Sequence, residues 1–286
     1  MAGFWRAGAI TLAIVAAILA PLSALAAGDG WEDLAGPLRA LASEAGAGRA
    51  VQSQAAAAGV RFLGEKALVE VWFRGTDVPR AAMAQLGCTL RYVFGRRAEV
   101  LVPITALRDL AALPQVAQVA PAVECISLQG FPPTVSEGVQ LTNASAFYYN
   151  DIRGEGARIA VIDVGFAGYA AAEIPIDPAN PAPKSYRAGG ISGTSSHGTA
   201  VAEVIADMAP DATIHLLEVD TPGSVVAALR DVVANKYHIC CISIGLLDGP
   251  FDGSSTVSKQ VEAARAAGVL VVTAAGNFAQ RHWSGP

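Results

Sequence analysis

One stretch of the chain, Arg158–Gly165 (RIAVIDVG), constrains the fold more than any other. Four apolar residues lead directly into Asp163, and Gly165 follows two positions later. A short apolar run without alternation is typical of a strand buried on both faces, as in a parallel sheet. Because a carboxylate is costly inside such a sheet, Asp163 is expected where the strand ends. Open α/β sheets keep their sites at that edge, so Asp163 is a candidate site residue; a helix cap or turn is the simpler interpretation.

Downstream of this stretch, strand-like and helix-like segments alternate. The pattern predicts a parallel sheet with crossover helices, an α/β fold. The predicted strands are 158–162, 213–219, 239–244 and 269–273, and the predicted helices are 197–208, 223–235 and 255–267. Gly154-Glu155-Gly156 precedes a strand instead of following one, so it is not a dinucleotide-binding fingerprint.

The first 26 residues have the features of a secretory signal peptide. Arg6 supplies a positive charge, residues 7–20 form a short apolar run, and Ala24-Leu25-Ala26 gives an A-x-A cleavage site. An uncleaved membrane anchor is the alternative. The expected location is therefore secreted or periplasmic, with no membrane association after the signal is removed.

Composition excludes some classes of protein. The chain has 286 residues, 52% of them hydrophobic and 16% charged, which argues against global disorder. A net charge of −5 gives no electrostatic footprint for nucleic acid.

In an exported protein Cys88 and Cys125 could form a disulfide, whereas Cys240 and Cys241 are expected to be buried thiols. No cysteine spacing suggests zinc.

Residues 66–122 show a second, separate pattern. Their predicted elements follow the order βαββαβ, which is typical of a ferredoxin-like α+β domain. The Ala/Gly-rich segment 27–65 is expected to be poorly ordered apart from a short helix, and 123–137 is expected to be a linker. The α/β domain then occupies residues 138–286.

Two further stretches carry polar residues at the edge of the predicted sheet. His197 begins a segment with apolar residues at helical spacing, and Ser195 or Ser196 is a suitable N-cap. Ala274-Ala275-Gly276-Asn277 follows the last predicted strand, and an asparagine there can donate a hydrogen bond to an oxyanion. Taken singly, a structural histidine and a turn asparagine are the simpler interpretations.

Together these stretches resemble the subtilisin-like serine proteases, the subtilases of peptidase family S8. Residues 159–165 resemble the family's aspartate motif, and His197-Gly198-Thr199-x-Val201-Ala202 its histidine motif. Ser243-Ile244-Gly245 is similar to its substrate-binding strand, and residues 274–277 to its oxyanion-hole motif. They occur in the family's order over about residues 138–286. Residues 66–122 are similar to the family's inhibitory pro-domain, with Leu107–Val116 resembling its closing helix and strand; a fused accessory domain is the alternative.

The resemblance implies a role for each site residue. Asp163 would orient His197, and His197 would accept the proton of a serine nucleophile. Asn277 would stabilise the oxyanion. Ser243, Ile244 and Gly245 would pair with the substrate backbone. The pocket for the residue before the scissile bond would be lined by Ala274, Ala275 and Gly276.

The sequence departs from the family in one important respect. The family's nucleophile lies in a Gly-Thr-Ser-x-Ala motif well beyond the asparagine, and the 286 residues contain no such motif after Asn277. Gly193-Thr194-Ser195 precedes the histidine motif, and Ser195 is expected to cap a helix. The chain is therefore expected to be the N-terminal part of a longer gene product and to be inactive by itself. Val164 also replaces the serine or threonine common after the family's aspartate.

Two functional hypotheses follow from these observations. The first is a secreted serine endopeptidase precursor that acts on proteins or peptides and is inhibited by its own pro-domain. The second is a non-catalytic pseudoprotease or protease-binding protein. No cofactor is expected; structural calcium is frequent in the family, but no ligand loop can be named in this sequence.

Overall fold

The structure, a computed structural model, describes residues 29–46, 55, 59–127, 138–246 and 249–277. The predicted signal peptide lies outside the described residues. None of the described helices is long and apolar enough to cross a membrane.

The N-terminal part is a mainly antiparallel sheet with helices on one face. Strand β2 pairs with both β4 and β5, and β4 also pairs with β3, each time antiparallel. The resulting order β5-β2-β4-β3 is the ferredoxin-like arrangement that the βαββαβ pattern predicts. The elements are α1 (Gly36–Gly46), β1 (Phe62–Leu63), β2 (Lys66–Phe73), α2 (Arg80–Gln85), β3 (Thr89–Phe94), β4 (Arg97–Pro103), α3 (Leu107–Ala111) and β5 (Val116–Pro121).

Apolar and polar side chains alternate along β2, so the two faces of this sheet differ. Val69, Val71 and Phe73 are buried in the hydrophobic core beneath the helices. Glu70 points to the other face, where it accepts a hydrogen bond from Arg97 Nη1 at 2.7 Å. The period of two residues therefore produces one apolar face and one buried polar face.

The described part of segment 27–65 contains the short helix that the sequence predicts, α1 (Gly36–Gly46). Leu38 and Leu41, on helix α1, and the preceding Leu34 are each at most 2% exposed and belong to the N-terminal core. The short helix expected within this segment is therefore confirmed, and burial of its leucine side chains stabilises it despite the surrounding alanine and glycine.

The C-terminal part is a five-stranded parallel sheet. Its strand order is β12-β10-β7-β9-β8, so β7, which ends in Asp163, is the central strand. The elements are β6 (Ile126–Ser127), α4 (Gly138–Leu141), α5 (Ser145–Tyr148), β7 (Arg158–Asp163), β8 (Lys184–Ser185), α6 (His197–Met208), β9 (Thr213–Glu218), α7 (Pro222–Ala234), β10 (Ile239–Ile242), β11 (Ile244–Gly245), α8 (Thr256–Ala266) and β12 (Leu270–Thr273).

Helices cover both faces of this parallel sheet. Helix α6 packs on one face through Ala202 and Ala206, against Val161 of β7. Helices α7 and α8 pack on the opposite face around Ala160 and Ile162. The central strand is therefore enclosed on both sides, as its continuous apolar sequence predicts.

Two predicted boundaries differ in the structure. The predicted strand 239–244 breaks at Ser243, and Ile244–Gly245 pairs antiparallel with Ile126–Ser127 in a separate two-stranded sheet. Part of the expected linker is therefore ordered by pairing with the α/β part; residues 128–137 lie outside the described residues. His215, which belongs to no motif, is buried within β9.

All four cysteines are free thiols. Cys88 packs against the N-terminal core, whereas Cys125 packs against the cluster beneath the parallel sheet. The suggested disulfide between them is not present, because the two side chains belong to different hydrophobic clusters.

Candidate active site

The carboxyl end of β7 and the first turn of α6 bring Asp163 and His197 together. Asp163 Oδ2 lies 2.7 Å from His197 Nδ1, and both side chains are buried. A carboxylate that accepts a hydrogen bond from Nδ1 leaves Nε2 as the ring nitrogen that can act as a base. The arrangement is therefore suited to general base chemistry at Nε2.

Asp163 is held by the backbone as well as by the histidine. Its Oδ1 accepts a hydrogen bond from the N–H of Val164 at 2.7 Å. Burial raises the pKa of Asp163 above its usual value, although the hydrogen bond with His197 and the N–H groups of Val164 and Gly165 act in the opposite direction. The positions of both carboxylate oxygens are thus fixed before any substrate binds.

Backbone contacts join the loop after Asp163 to the start of α6. The N–H of Gly198 donates to the carbonyl of Gly165 at 2.9 Å. A Cβ at Gly198 would lie 2.5 Å from Phe166 Cε1 and 2.7 Å from Asp163 Cβ. Glycine is required there because helix α6 approaches the strand so closely, and this approach sets the distance between Asp163 and His197.

Ser195 and Ser196 lie at the N-terminus of α6. Ser196 is the N-cap residue, but its side chain makes no capping hydrogen bond. Instead, Ser195 Oγ accepts a hydrogen bond from the N–H of His197 at 3.3 Å. The Ser195 hydroxyl therefore contacts the backbone of the helix, as expected for a capping side chain.

A second buried carboxylate, which the sequence analysis missed, lies beside Asp163. Glu218 ends β9, and its position pairs with that of Asp163. Its Oε1 accepts a hydrogen bond from the N–H of Ser192 at 2.8 Å, which anchors the loop leading to His197. Burial raises the pKa of Glu218. The signal was present in the sequence, because Glu218 follows a buried apolar strand just as Asp163 does.

The other predicted site residues lie at the same edge of the sheet. Ser243 directly follows β10, whose last residue, Ile242, pairs with Ile162. The N–H of Ala274 donates to the carbonyl of Ile242 at 3.0 Å, so residues 274–277 leave the sheet next to Ser243. Asn277 is exposed. The predicted substrate-binding strand and the predicted oxyanion segment are therefore neighbours at the carboxyl edge.

The polar face of the N-terminal sheet packs against the start of α7. Thr221, the N-cap of α7, donates its hydroxyl proton to Glu99. Arg91 Nη1 lies 3.0 Å from the other oxygen of Glu99. Arg61 Nη2 lies 2.6 Å from Asp220 Oδ2. These side chains form a largely buried polar contact between the two parts of the chain.

The comparison with protein families identifies the α/β part. The model of the subtilase family, peptidase S8, matches residues 154–285. Residues 154–285 therefore match the subtilase family and are called the subtilase region below. The site described above therefore lies within the subtilase region.

Two curated relatives of the chain are proteases. The chain is 33% identical over 168 residues to a thermostable alkaline protease of Halalkalibacterium halodurans, covering 50% of this chain and 42% of that protein. It is 29% identical over 186 residues to the alkaline elastase YaB of a Bacillus species, covering 57% of this chain and 44% of that protein. The chain thus spans less than half of the length of these two relatives.

A solved structure extends the likeness of fold beyond the subtilase region. The epidermin leader peptide processing serine protease of Staphylococcus aureus matches with a TM-score of 0.51 and 16% identity. The match covers 74% of this chain and 61% of that protein. At this identity the match supports a subtilisin-like fold for the chain.

Metal binding has no support in the described parts of the chain. They contain no group of three or more His, Cys, Asp or Glu side chains that could hold an ion.

Proposed function

We propose that this chain is part of a serine endopeptidase that hydrolyses peptide bonds in proteins or peptides. The observation that carries the proposal is the buried contact of 2.7 Å between Asp163 Oδ2 and His197 Nδ1, at the carboxyl end of the central strand. The match of residues 154–285 to the subtilase family model supports the same reaction class.

In the proposed mechanism, His197 acts as general base and then as general acid. It takes the proton of a serine hydroxyl and returns it to the leaving amine, while Asp163 fixes the tautomer and stabilises the imidazolium. We propose that the serine belongs to chain beyond residue 286, since Ser195 contacts the backbone of α6. The Asn277 side chain stabilises the oxyanion.

Substrate binds to the segment between β10 and α8. Ser243, Ile244 and Gly245 pair with its backbone as an added strand. Support comes from Ile244–Gly245, which already pairs antiparallel with Ile126–Ser127. The residue before the scissile bond enters a pocket lined by Ala274, Ala275 and Gly276.

The N-terminal sheet acts as the protease's own inhibitory pro-domain. Its polar face packs on the start of α7 through Glu99 and Arg61, and Ile126–Ser127 lies along the proposed substrate strand. A segment in this position excludes substrate until it is removed. The precursor is exported by the signal peptide of residues 1–26 and is therefore secreted or periplasmic.

The proposal is tested with protein expressed from the complete reading frame, including any codons after Pro286. This protein is expected to hydrolyse casein, and the His197→Ala variant is expected to lose that activity. His238→Gln is a matched control, because His238 is exposed and its side chain accepts a hydrogen bond from the backbone N–H of Arg158, at the start of β7. An inactive protein from a reading frame that stops after Pro286 would favour a non-catalytic, protease-binding role instead.

A further inference from the structure

Asp220 is a buried carboxylate of the subtilase region that is bound by an arginine of the N-terminal part. Its Oδ2 lies 2.6 Å from Arg61 Nη2, and its side chain is only 4% exposed. Its other oxygen, Oδ1, is also buried and has no hydrogen-bond partner among the described residues. The Asp220 carboxylate can therefore accept more hydrogen bonds than it receives from Arg61.

The charges that the subtilase region places around Asp220 are mainly negative. Burial raises the pKa of Glu218, and the charge of Asp220 adds to this rise, so the two carboxylates lie near each other. The charge of Arg187 lowers the pKa of Glu218, and Arg187 Nη1 donates to the carbonyl of Val164 at 3.3 Å. Two carboxylates therefore lie beside one guanidinium, and a further cation is favoured here when Arg61 is absent.

The backbone of Asp220 lies along the path of an extended chain. Its carbonyl accepts a hydrogen bond from the N–H of Cys125 at 2.7 Å. On the opposite side, the next residue, Ile126, pairs with Gly245 of the proposed substrate strand. An extended peptide that pairs with Ser243, Ile244 and Gly245 therefore passes beside Asp220.

Glu124 marks the side-chain position that is next to the Arg61 guanidinium. Glu124 Oε1 lies 3.4 Å from Arg61 Nη1, whereas Nη2 of the same guanidinium contacts Asp220. The guanidinium thus lies between this side-chain position and the Asp220 carboxylate. A longer, basic side chain at the same position of a bound peptide would place its own cation there when Arg61 is absent.

We propose that Asp220 determines specificity in the mature protease by binding an arginine or lysine of the substrate, at one position on the N-terminal side of the cleaved bond. In the precursor, Arg61 occupies this site, and removal of the N-terminal part opens it. Arginine is expected to bind better than lysine, because its planar guanidinium can donate to both carboxylate oxygens. This inference rests on the proposed serine endopeptidase function.

The first test determines which bonds the mature enzyme from the complete reading frame cuts, so that no variant has to fold. The substrates are peptides released from a bacterial proteome by a glutamate-specific endopeptidase, and mass spectrometry identifies the new ends. Arginine and lysine are expected to be enriched at one fixed position before the cleaved bonds. An enzyme that cuts these peptides without such enrichment overturns the inference and leaves the proposed function intact. An enzyme that cuts neither these peptides nor casein overturns both.

The second test measures whether the charge of the substrate side chain is recognised. The best-cleaved arginine peptide is synthesised again with citrulline at the enriched position, which keeps the shape of the side chain and removes its charge. Because hydrogen bonds to charged groups are stronger than those between neutral groups, kcat/KM is expected to fall by at least about fivefold. Equal kcat/KM for the two peptides overturns the proposal.

The third test assigns this preference to Asp220. In the Asp220→Asn variant, the ratio of kcat/KM for the arginine peptide to that for the citrulline peptide is expected to fall to about one, because the charge-assisted hydrogen bond is lost. Asp151→Asn is the matched control and is expected to keep the wild-type ratio, because Asp151 is exposed. A wild-type ratio in the Asp220→Asn variant would show that another group binds the basic side chain.

Discussion

Thr221 donates its hydroxyl proton to Glu99, so a carboxylate from the N-terminal sheet contacts the cap of helix α7 in the subtilase region. The Thr221 hydroxyl oxygen also accepts from the N–H of Ser224 within the same capping box. Arg91 binds the other oxygen of Glu99 at 3.0 Å. The two parts of the chain therefore share a buried hydrogen-bond network, and its members are expected to affect the stability of both.

Replacing Glu99 by glutamine is expected to change how stability depends on pH. Burial raises the pKa of Glu99, although the hydrogen bond from Thr221 and the charge of Arg91 act against the rise. Between the unfolded pKa of about 4.3 and the raised pKa of the folded state, the folded protein keeps a proton that the unfolded chain releases. The free energy of unfolding therefore falls as pH rises through the raised pKa. Glu99→Gln removes this pH-dependent loss. The free energy of unfolding of the variant, relative to that of the wild type, should therefore increase from pH 4 to pH 8.

Urea unfolding across this pH range measures the difference between the two proteins. Glu65→Gln serves as the control, because Glu65 is exposed. Parallel stability curves for wild type and Glu99→Gln would contradict the account.

Removing Arg61 is expected to destabilise the protein much more than removing an exposed arginine. Arg61→Gln leaves the Asp220 carboxylate, 4% exposed, without its ion-pair partner. Loss of one partner from a buried ion pair costs about 3 kcal/mol. The control is Arg265→Gln, because the Arg265–Glu262 pair is more than half exposed on α8 and is worth at most about 1 kcal/mol. If urea unfolding shows the same loss of unfolding free energy for Arg61→Gln and Arg265→Gln, Arg61 does not stabilise the contact.

Gly198→Ala is expected to disturb the site through its backbone. The added Cβ would lie 2.7 Å from the carbonyl oxygen of Gly165, a backbone atom that cannot move freely. Overpacking of this kind costs about 1–3 kcal/mol. Gly36→Ala is the control, since nothing lies within 4 Å of a Cβ there. Thermal unfolding should distinguish the two, and unchanged stability of Gly198→Ala would show that α6 can shift away from β7.

Four of the five strands of the parallel sheet were predictable from sequence because each contains a local apolar run, whereas β8, which is the dipeptide Lys184–Ser185, was not predicted. Asp163 was predictable because it ends an apolar strand. His197 was predictable because it begins a segment with apolar residues at helical spacing. The pairing of Ile126 with Gly245 was not predictable from sequence, because it depends on a register between segments far apart in the chain. Glu99 and Asp220 were missed for the same reason: each looks like an ordinary surface carboxylate until the N-terminal sheet packs against the start of α7.

Asp163→Asn tests whether the carboxylate orients the histidine during catalysis. An amide in this position donates where the carboxylate accepts, which favours the wrong tautomer of His197. The kcat of the protein from the complete reading frame should fall by about 10³–10⁴, with little change in KM. Asp151→Asn is the control, because Asp151 is exposed and has φ of 60°, a conformation that asparagine tolerates. A fall of less than tenfold would remove Asp163 from the mechanism.

The central claim is that Asp163 and His197 activate a serine outside the 286 residues. The most direct measurement is labelling with a serine-directed covalent inhibitor, followed by peptide mapping of protein from the complete reading frame. The label is expected on a serine beyond residue 286, in a Gly-Thr-Ser-x-Ala sequence, and it should disappear in the His197→Ala variant. A label on Ser195, or a protein that digests casein without being labelled, would contradict the claim.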